Sequence, residues 1–219
     1  MKHVMVAPSI LAVWDRTNGD YAACVTAAQA VEKAGADWLH VDVMDGQYVP
    51  AKTFGPEMVE KLKGAVKLPL DIHLMVNAPE RVIADYIAAG ADRVVFHPSA
   101  SDDVGGCLQK LVETGVVAGL AIDADENVLL LAPWVDVVQQ VLVMTVKAGA
   151  GGQGLRDDLL AKVAGVRALV GKDVPLVVDG GVKVDNAARV VSAGADVLVA
   201  GSAVFNAPDV GAVIGQLRV

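Results

Sequence analysis

The stretch HVDVMDG, residues 40–46, sets a histidine, a carboxylate and a thioether at alternate positions: His40, Asp42 and Met44, separated by Val41 and Val43. Alternate residues of a strand share one face. Three side chains able to ligate, move a proton or pack softly therefore point the same way. LPLDIHLM, residues 68–75, repeats the arrangement with Asp71, His73 and Met75. PLVVDGG, 175–181, ends its apolar run on Asp179, and VLVMT, 141–145, ends near Met144. Singly, each has a plain explanation: a hydrogen-bonded core histidine, a methionine filler, an aspartate capping the next helix. Together, His40, Asp42, His73 and Asp179 bring two imidazoles and two carboxylates from three strands toward one rim. Burying so many ionisable groups is costly unless a cation organises them. Two nitrogen and two oxygen donors suit one divalent transition metal ion, Zn²⁺ first, with Fe²⁺ or Mn²⁺ as alternatives.

A second pattern is glycine after three consecutive strands: Gly149, Gly151 and Gly152 in GAGGQG (149–154), the pair Gly180-Gly181, and Gly201 followed by Ser202. Backbone without side chains approaches an anion closely. Loops after the last strands of α/β barrels are a recurrent phosphate site. The competing explanation is tight turns alone.

These residues need a scaffold that brings strand ends together. The tetrapeptide AGAD occurs at Ala34–Asp37, Ala89–Asp92 and Ala193–Asp196. Each copy follows an amphipathic stretch and precedes an apolar run, which marks a helix-to-strand turn with glycine at the left-handed position. TGVVAGLAI at 114–122 reads as a diverged fourth copy. Strands are expected near 4–9, 38–44, 69–75, 93–97, 117–122, 137–144, 175–179 and 197–200. Helices are expected near 20–34, 56–64, 79–89, 102–114, 126–131, 156–170, 183–193 and 208–217. Eight strands alternating with eight helices imply parallel pairing and right-handed crossovers. The expected fold class is α/β, a (β/α)₈ TIM barrel forming a single domain over residues 1–219. An open doubly wound sheet is the alternative.

Composition narrows the function classes. The chain has 219 residues and a net charge of −8, with a pI near 4.9. It offers no basic patch for nucleic acid. The mean hydropathy of +0.47 is high, yet polar residues such as Asp136, Gln139 and Gln140 interrupt the longest apolar stretch, so no membrane span is expected. Cys24 and Cys107 lie far apart without a metal or redox spacing and read as buried thiols. A cytoplasmic protein is expected, with strands buried on both faces. His3 reads as a surface residue, Lys147 as an exposed loop lysine, and His97 as either pocket lining or a local hydrogen bonder.

The segments APSIL (7–11), HVDVMDG (40–46), FGP (54–56), LPLDIHLMV (68–76), MTV with GGQ (144–153), VDGGV (178–182) and AGSAVF (200–205) resemble, in order, the ribulose-phosphate 3-epimerase family. The resemblance implies a ribulose-phosphate-binding barrel that inverts C3 of a ketose phosphate with one divalent metal ion. It implies His40, Asp42, His73 and Asp179 as metal ligands and Asp42 and Asp179 as the acid/base pair. Ser9, Met44, His73, Met75 and Met144 would contact the substrate, and Gly149, Gly151, Gly152, Gly180, Gly181, Gly201 and Ser202 its phosphate. D-ribulose 5-phosphate and D-xylulose 5-phosphate, intermediates of pentose phosphate metabolism, are the expected pair. The resemblance also implies a homo-oligomer.

The chain departs from the family pattern in its loops. Lys147-Ala148-Gly149-Ala150 stands where Asn- or Glu-Pro-Gly-Phe is usual. Ala51 replaces Asn, Ser99 replaces Glu, and Trp14 replaces Asp. A sister substrate such as D-allulose 6-phosphate is therefore an alternative. A phosphate-binding barrel without catalysis, serving as sensor or scaffold, is the alternative from another class. HVDVMDG contains no lysine, which counts against a related decarboxylase.

Overall fold

Eight short parallel strands carry the molecule, and the computed structural model describes residues 4–219. His3 lies outside the described residues. The strands are β1 (Met5–Pro8), β2 (Leu39–Met44), β3 (Leu70–Met75), β4 (Arg93–Phe96), β5 (Val117–Ile122), β6 (Gln140–Met144), β7 (Leu176–Asp179) and β8 (Val197–Ala200). Their order in the sheet is β1-β8-β7-β6-β5-β4-β3-β2. Between β1 and β2 the barrel is closed by a bridge from Ser9 to His40 and a 3.0 Å bond from Ile10 N–H to the His40 carbonyl. The closing seam thus runs through residues of the expected site.

Each strand alternates between two apolar environments. Outward residues such as Val41, Val43, Ile72, Leu74 and Val178 join the layer under the helices. Inward residues such as Ala7, Val95, Leu142, Val177 and Val197 fill the lumen. Strands buried on both faces explain the high hydropathy without a membrane. Among the described residues no helix is long and apolar enough to cross one.

Nine helices surround the strands among the described residues: α1 (Leu11–Thr17), α2 (Tyr21–Lys33), α3 (Pro56–Ala65), α4 (Ile83–Ala88), α5 (Val104–Glu113), α6 (Leu160–Val170), α7 (Ala187–Ser192), α8 (Ser202–Phe205) and α9 (Val210–Leu217). Helices α1 and α8, in the loops after β1 and β8, were not among the expected elements. The helix expected at 126–131 is instead a 3₁₀ segment, Val128–Trp134. Asn127 starts it by accepting from Leu129 N–H at 2.9 Å, and Pro133 inside it denies an α-helix its backbone donor. The three AGAD glycines, Gly35, Gly90 and Gly194, all have positive φ, as their place after a helix requires.

Candidate metal centre and active site

β2 and β3 are in register, pairing His40 with Asp71, Asp42 with His73 and Met44 with Met75. Both strands are buried throughout. Period two then turns His40, Asp42, Asp71 and His73 into the lumen, and Asp179 ends β7 across from them. The four expected ligands converge: one donor atom from each of His40, Asp42, His73 and Asp179 lies within 4.8 Å of the others.

The two rings face this centre with different nitrogens. His40 Nε2 stands 3.3 Å from Asp42 Oδ1 and 3.9 Å from Asp179 Oδ2. His73 Nδ1 stands 3.2 Å from Asp42 Oδ1 and 4.0 Å from Asp179 Oδ2. Four donors held about 2.1 Å from one ion in a tetrahedron would be about 3.4 Å apart. The observed separations bracket that value. His40 Nε2 is also buried with no hydrogen-bond partner, a costly orphan that a cation would satisfy. The residues present therefore fit a divalent metal ion.

The groups behind the ligands are ordered. Asp71 Oδ2 lies 2.8 Å from His40 Nδ1. Its other oxygen accepts from Gln140 Nε2 at 2.8 Å. Gln140 in turn accepts from Arg93 Nε at 2.5 Å, and the Arg93 guanidinium lies over the Trp38 ring. Ser9 Oγ donates to Asp42 Oδ2 at 2.6 Å across the barrel seam. Thr53 accepts from Met44 N–H and donates to the Asp42 carbonyl, finishing the end of β2 where no strand follows. Asp45 accepts from Gln47, Tyr48 and Asn77 N–H, so the Asp45-Gly46 stop is turn chemistry.

Without a cation, the electrostatics of this cluster are uneven. Burial pushes the carboxyls up, yet the His40 and His73 rings outweigh it at Asp42 and hold that group well below the usual carboxylate range. At Asp179 the opposing pulls of His40 and the Gly180 N–H are too weak to compensate. Burial and then the Asp42 charge push it up to about 7. Burial opposes the charge on His40, but Asp42 and Asp71 hold its ring above the ordinary value. His73 is lowered to about 4, mainly by burial.

Above the cluster lies a cleft open to solvent. Ser9, Met44, Met75 and Met144 line it, together with Asp42 and Asp179. So do all the expected glycines, Gly149, Gly151, Gly152, Gly180, Gly181 and Gly201, and also Ser202. His40 and His73 do not; they sit behind the carboxylates, so His73 does not reach the lining where substrate contact was expected. Gly181 has φ +69, and a Cβ there would stand 2.1 Å from the Leu155 nitrogen. Close backbone packing is thus part of the reason for the glycine pair. The 147–154 loop is tied by Gln153 Nε2, which donates to the Lys147 and Ala150 carbonyls, and by Ala148 N–H bonding Asp123 Oδ1. Lys147 is exposed and off the lining, as expected.

Two residues of the lining were not expected. Lys183 and Gln153 line the cleft, with no sequence pattern marking them. Asp71 shares the parity of His73, which pointed it inward, but its Gln140 and Arg93 partners come from distant strands. His97 is fully buried and bonds His73, Nε2 to Nε2 at 2.9 Å.

Comparison with known proteins agrees. The family model described as "Ribulose-phosphate 3 epimerase family" matches residues 5–205. "Ribulose-phosphate 3-epimerase" of Escherichia coli (strain K12) is 40% identical over 222 residues, covering 100% of this chain and 96% of that one. The protein of the same name from Bacillus subtilis (strain 168) is 39% identical over 219 residues, covering 98% of each. Among solved structures, a 3-hexulose-6-phosphate synthase superposes with a TM-score of 0.67 at 24% identity, covering 100% of this chain and 98% of that one. A thiamine phosphate pyrophosphorylase from Pyrococcus furiosus gives 0.65 at 17% identity, covering 98% and 93%. At those identities the two structures support the barrel fold alone.

Proposed function

This chain belongs to the ribulose-phosphate 3-epimerase family, and from that premise we propose that it interconverts D-ribulose 5-phosphate and D-xylulose 5-phosphate. In this reading the domain spans residues 1–219, and Asp42 and Asp179 carry the protons. Inverting a carbon beside a ketone requires taking its proton from one face and returning one to the other. The observation that carries the reading is that these two carboxyls, from β2 and β7, alone of the ligand set reach the cleft. With each on a different strand, one takes the C3 proton and the other returns one, the division of base and acid work that paired carboxyls perform. Ser9 Oγ holds Asp42 Oδ2 and fixes its orientation.

His40, Asp42, His73 and Asp179 would hold one divalent ion, Zn²⁺ in preference to Fe²⁺ or Mn²⁺. When bound, it supplies Lewis-acid stabilisation for the negative charge that develops on the substrate as C3 loses its proton. Met44, Met75 and Met144 wall the cleft with soft apolar surface that excludes water. Gly149, Gly151, Gly152, Gly180, Gly181, Gly201 and Ser202 leave backbone accessible to a substrate phosphate, with Lys183 on the same lining. Anchoring the phosphate would hold C3 between the two carboxyls. Cytoplasmic pentose phosphate metabolism and homo-oligomer formation belong to the same reading; the exposed Leu129, Leu130 and Val137 support self-association.

The test is turnover of D-ribulose 5-phosphate by Zn²⁺-loaded protein in D₂O. D-xylulose 5-phosphate with deuterium at C3 is expected; no C3 exchange with any five- or six-carbon ketose phosphate would refute the reading. A second reading, with D-allulose 6-phosphate as substrate, has one observation in its favour. A shallow side recess meets the cleft at Leu11, Met44 and Gly149 to Gly151. It opens where Ala51 and Ala150 replace larger side chains. Comparing five- and six-carbon substrates in the same assay decides between them.

A further inference from the structure

Resting on the metal reading above, we propose that Glu126 is a positioning residue that acts through His97 to aim a lone pair of His73 into the metal centre. Two imidazole nitrogens 2.9 Å apart, His73 Nε2 and His97 Nε2, share one proton in their bond: one ring donates and the other accepts. Only one arrangement serves a cation. If His73 donates from Nε2, its Nδ1 keeps a lone pair toward Asp42 and Asp179. If His97 donates, the neutral His73 ring carries its proton on Nδ1 and turns an N–H into the centre.

Asp42 Oδ1, 3.2 Å from His73 Nδ1, favours the second arrangement while no cation is bound; the far side of His97 favours the first. His97 Nδ1 is fully buried and lacks a hydrogen-bond partner, and the nearest acidic oxygen is Glu126 Oε2, 3.8 Å away. A shift of about 1 Å makes that contact an ordinary hydrogen bond. A carboxylate only accepts, so it favours the proton on His97 Nδ1. That leaves His97 Nε2 as the acceptor for His73. Both partners of this contact are held in place. Ser99 Oγ donates to Glu126 Oε1, and Asp123 N–H donates to its Oε2 at 2.7 Å. Tyr48 packs on the His97 ring with centroids 4.9 Å apart. Burial opposes the charge on Glu126, but the nearby His97 ring and bonds from Ser99 and Asp123 lower it to about 2.

His40 shows the direct version of the same device. Asp71 at 2.8 Å takes its Nδ1–H and leaves Nε2 facing the centre. Both rings are thus aimed by a carboxylate, one by contact and the other through a second imidazole. Such outer partners set the orientation and tautomer of ligand histidines and are worth about 10–100-fold in metal affinity.

The test uses the full chain with ¹⁵N-labelled histidine, stripped of metal. Ring nitrogen spectra of wild type should show a larger share of His73 protonated at Nε2, and of His97 at Nδ1, than Glu126→Leu shows. Glu126→Leu should shift both rings toward the tautomer that Asp42 favours, leave His40 unchanged, and raise the Zn²⁺ dissociation constant about 10–100-fold in chelator competition. Glu126→Gln, whose amide oxygen still accepts, should fall between. A Glu126→Leu protein with wild-type ring tautomers and wild-type Zn²⁺ affinity overturns the proposal. Should that variant not fold, unchanged tautomers and affinity in Glu126→Gln overturn it equally. Stripped wild type that shows the expected tautomers but binds no Zn²⁺ overturns the metal reading instead, so the two failures are distinguishable.

Discussion

At the N-terminal end of the barrel, Asp37, Asp92 and Asp196 of the AGAD turns accept backbone N–H groups from Val6, Leu70 and Leu176 at the starts of β1, β3 and β7. Each also meets a cation: Arg218 at 2.8 Å, Lys63 at 2.6 Å and Arg167 at 2.5 Å. At the opposite end, Asp42 and Asp179 share a buried cluster with two imidazoles and no lysine or arginine partner among the described residues. One residue type does two jobs. A carboxylate with its own cation and a backbone donor holds strand ends in register. Two carboxylates crowded with a ring nitrogen left unsatisfied form a site that invites a cation from outside. At the corresponding place before β6, Gln139 Oε1 accepts from Ala118 N–H at 3.0 Å, so the bonding job tolerates a neutral residue.

Swapping charge for amide at either end separates the two jobs. Asp179→Asn should lower kcat on the order of 10³-fold and also stabilise the metal-free fold, because it removes a carboxyl crowded by Asp42. Turnover assays and urea titration check both; near-normal turnover would strike the catalytic end from the account. Asp196→Ala should do the reverse. Losing the Arg167 pair and the Leu176 bond should cost about 3 kcal/mol of stability and leave kcat within about twofold. A stable but inactive variant would break the division.

The pH dependence of the metal-free protein sharpens the comparison. Asp179 is raised from 3.8 to about 7 in the fold, and His40 is raised too. These two groups therefore hold more protons in the folded chain than in the unfolded one. Stability from these groups is complete below about pH 4 for Asp179 and is lost as pH rises through 7, by up to about 4 kcal/mol. Asp42 works in the opposite sense in the acid range, and His73, lowered from 6.5 to about 4, offsets Asp179 between those values, so the net loss is expected above about pH 6.5. Zn²⁺ should reverse the slope, because its ligands bind deprotonated. Urea midpoints from pH 4.5 to 8, with and without Zn²⁺, check the sign. The smallest expected effect is in substrate choice: Ala150→Phe, filling the side recess, should shift the ratio of five- to six-carbon turnover about tenfold toward five.

Much of this was legible in the chain. β2 was expected at 38–44 and occupies Leu39–Met44; polar residues at every second position announce both the strand and its inward face. The AGAD turns were legible because glycine at positive φ is a local demand. Helices α1 and α8 were not, since ILAVWDRT and SAVF carry no side-chain cap to mark their starts. The outer ring of the site was the least legible. Asp71 meets Gln140 and His97 meets Glu126 across separate strands and loops, and period two says which way a side chain points but not what it meets.

The most direct test is anomalous diffraction from crystals of the Zn²⁺-loaded protein. One strong peak bounded by His40 Nε2, His73 Nδ1, Asp42 and Asp179 is the expected result. A fully loaded protein with its zinc elsewhere, and these four side chains left as they stand, would contradict the account.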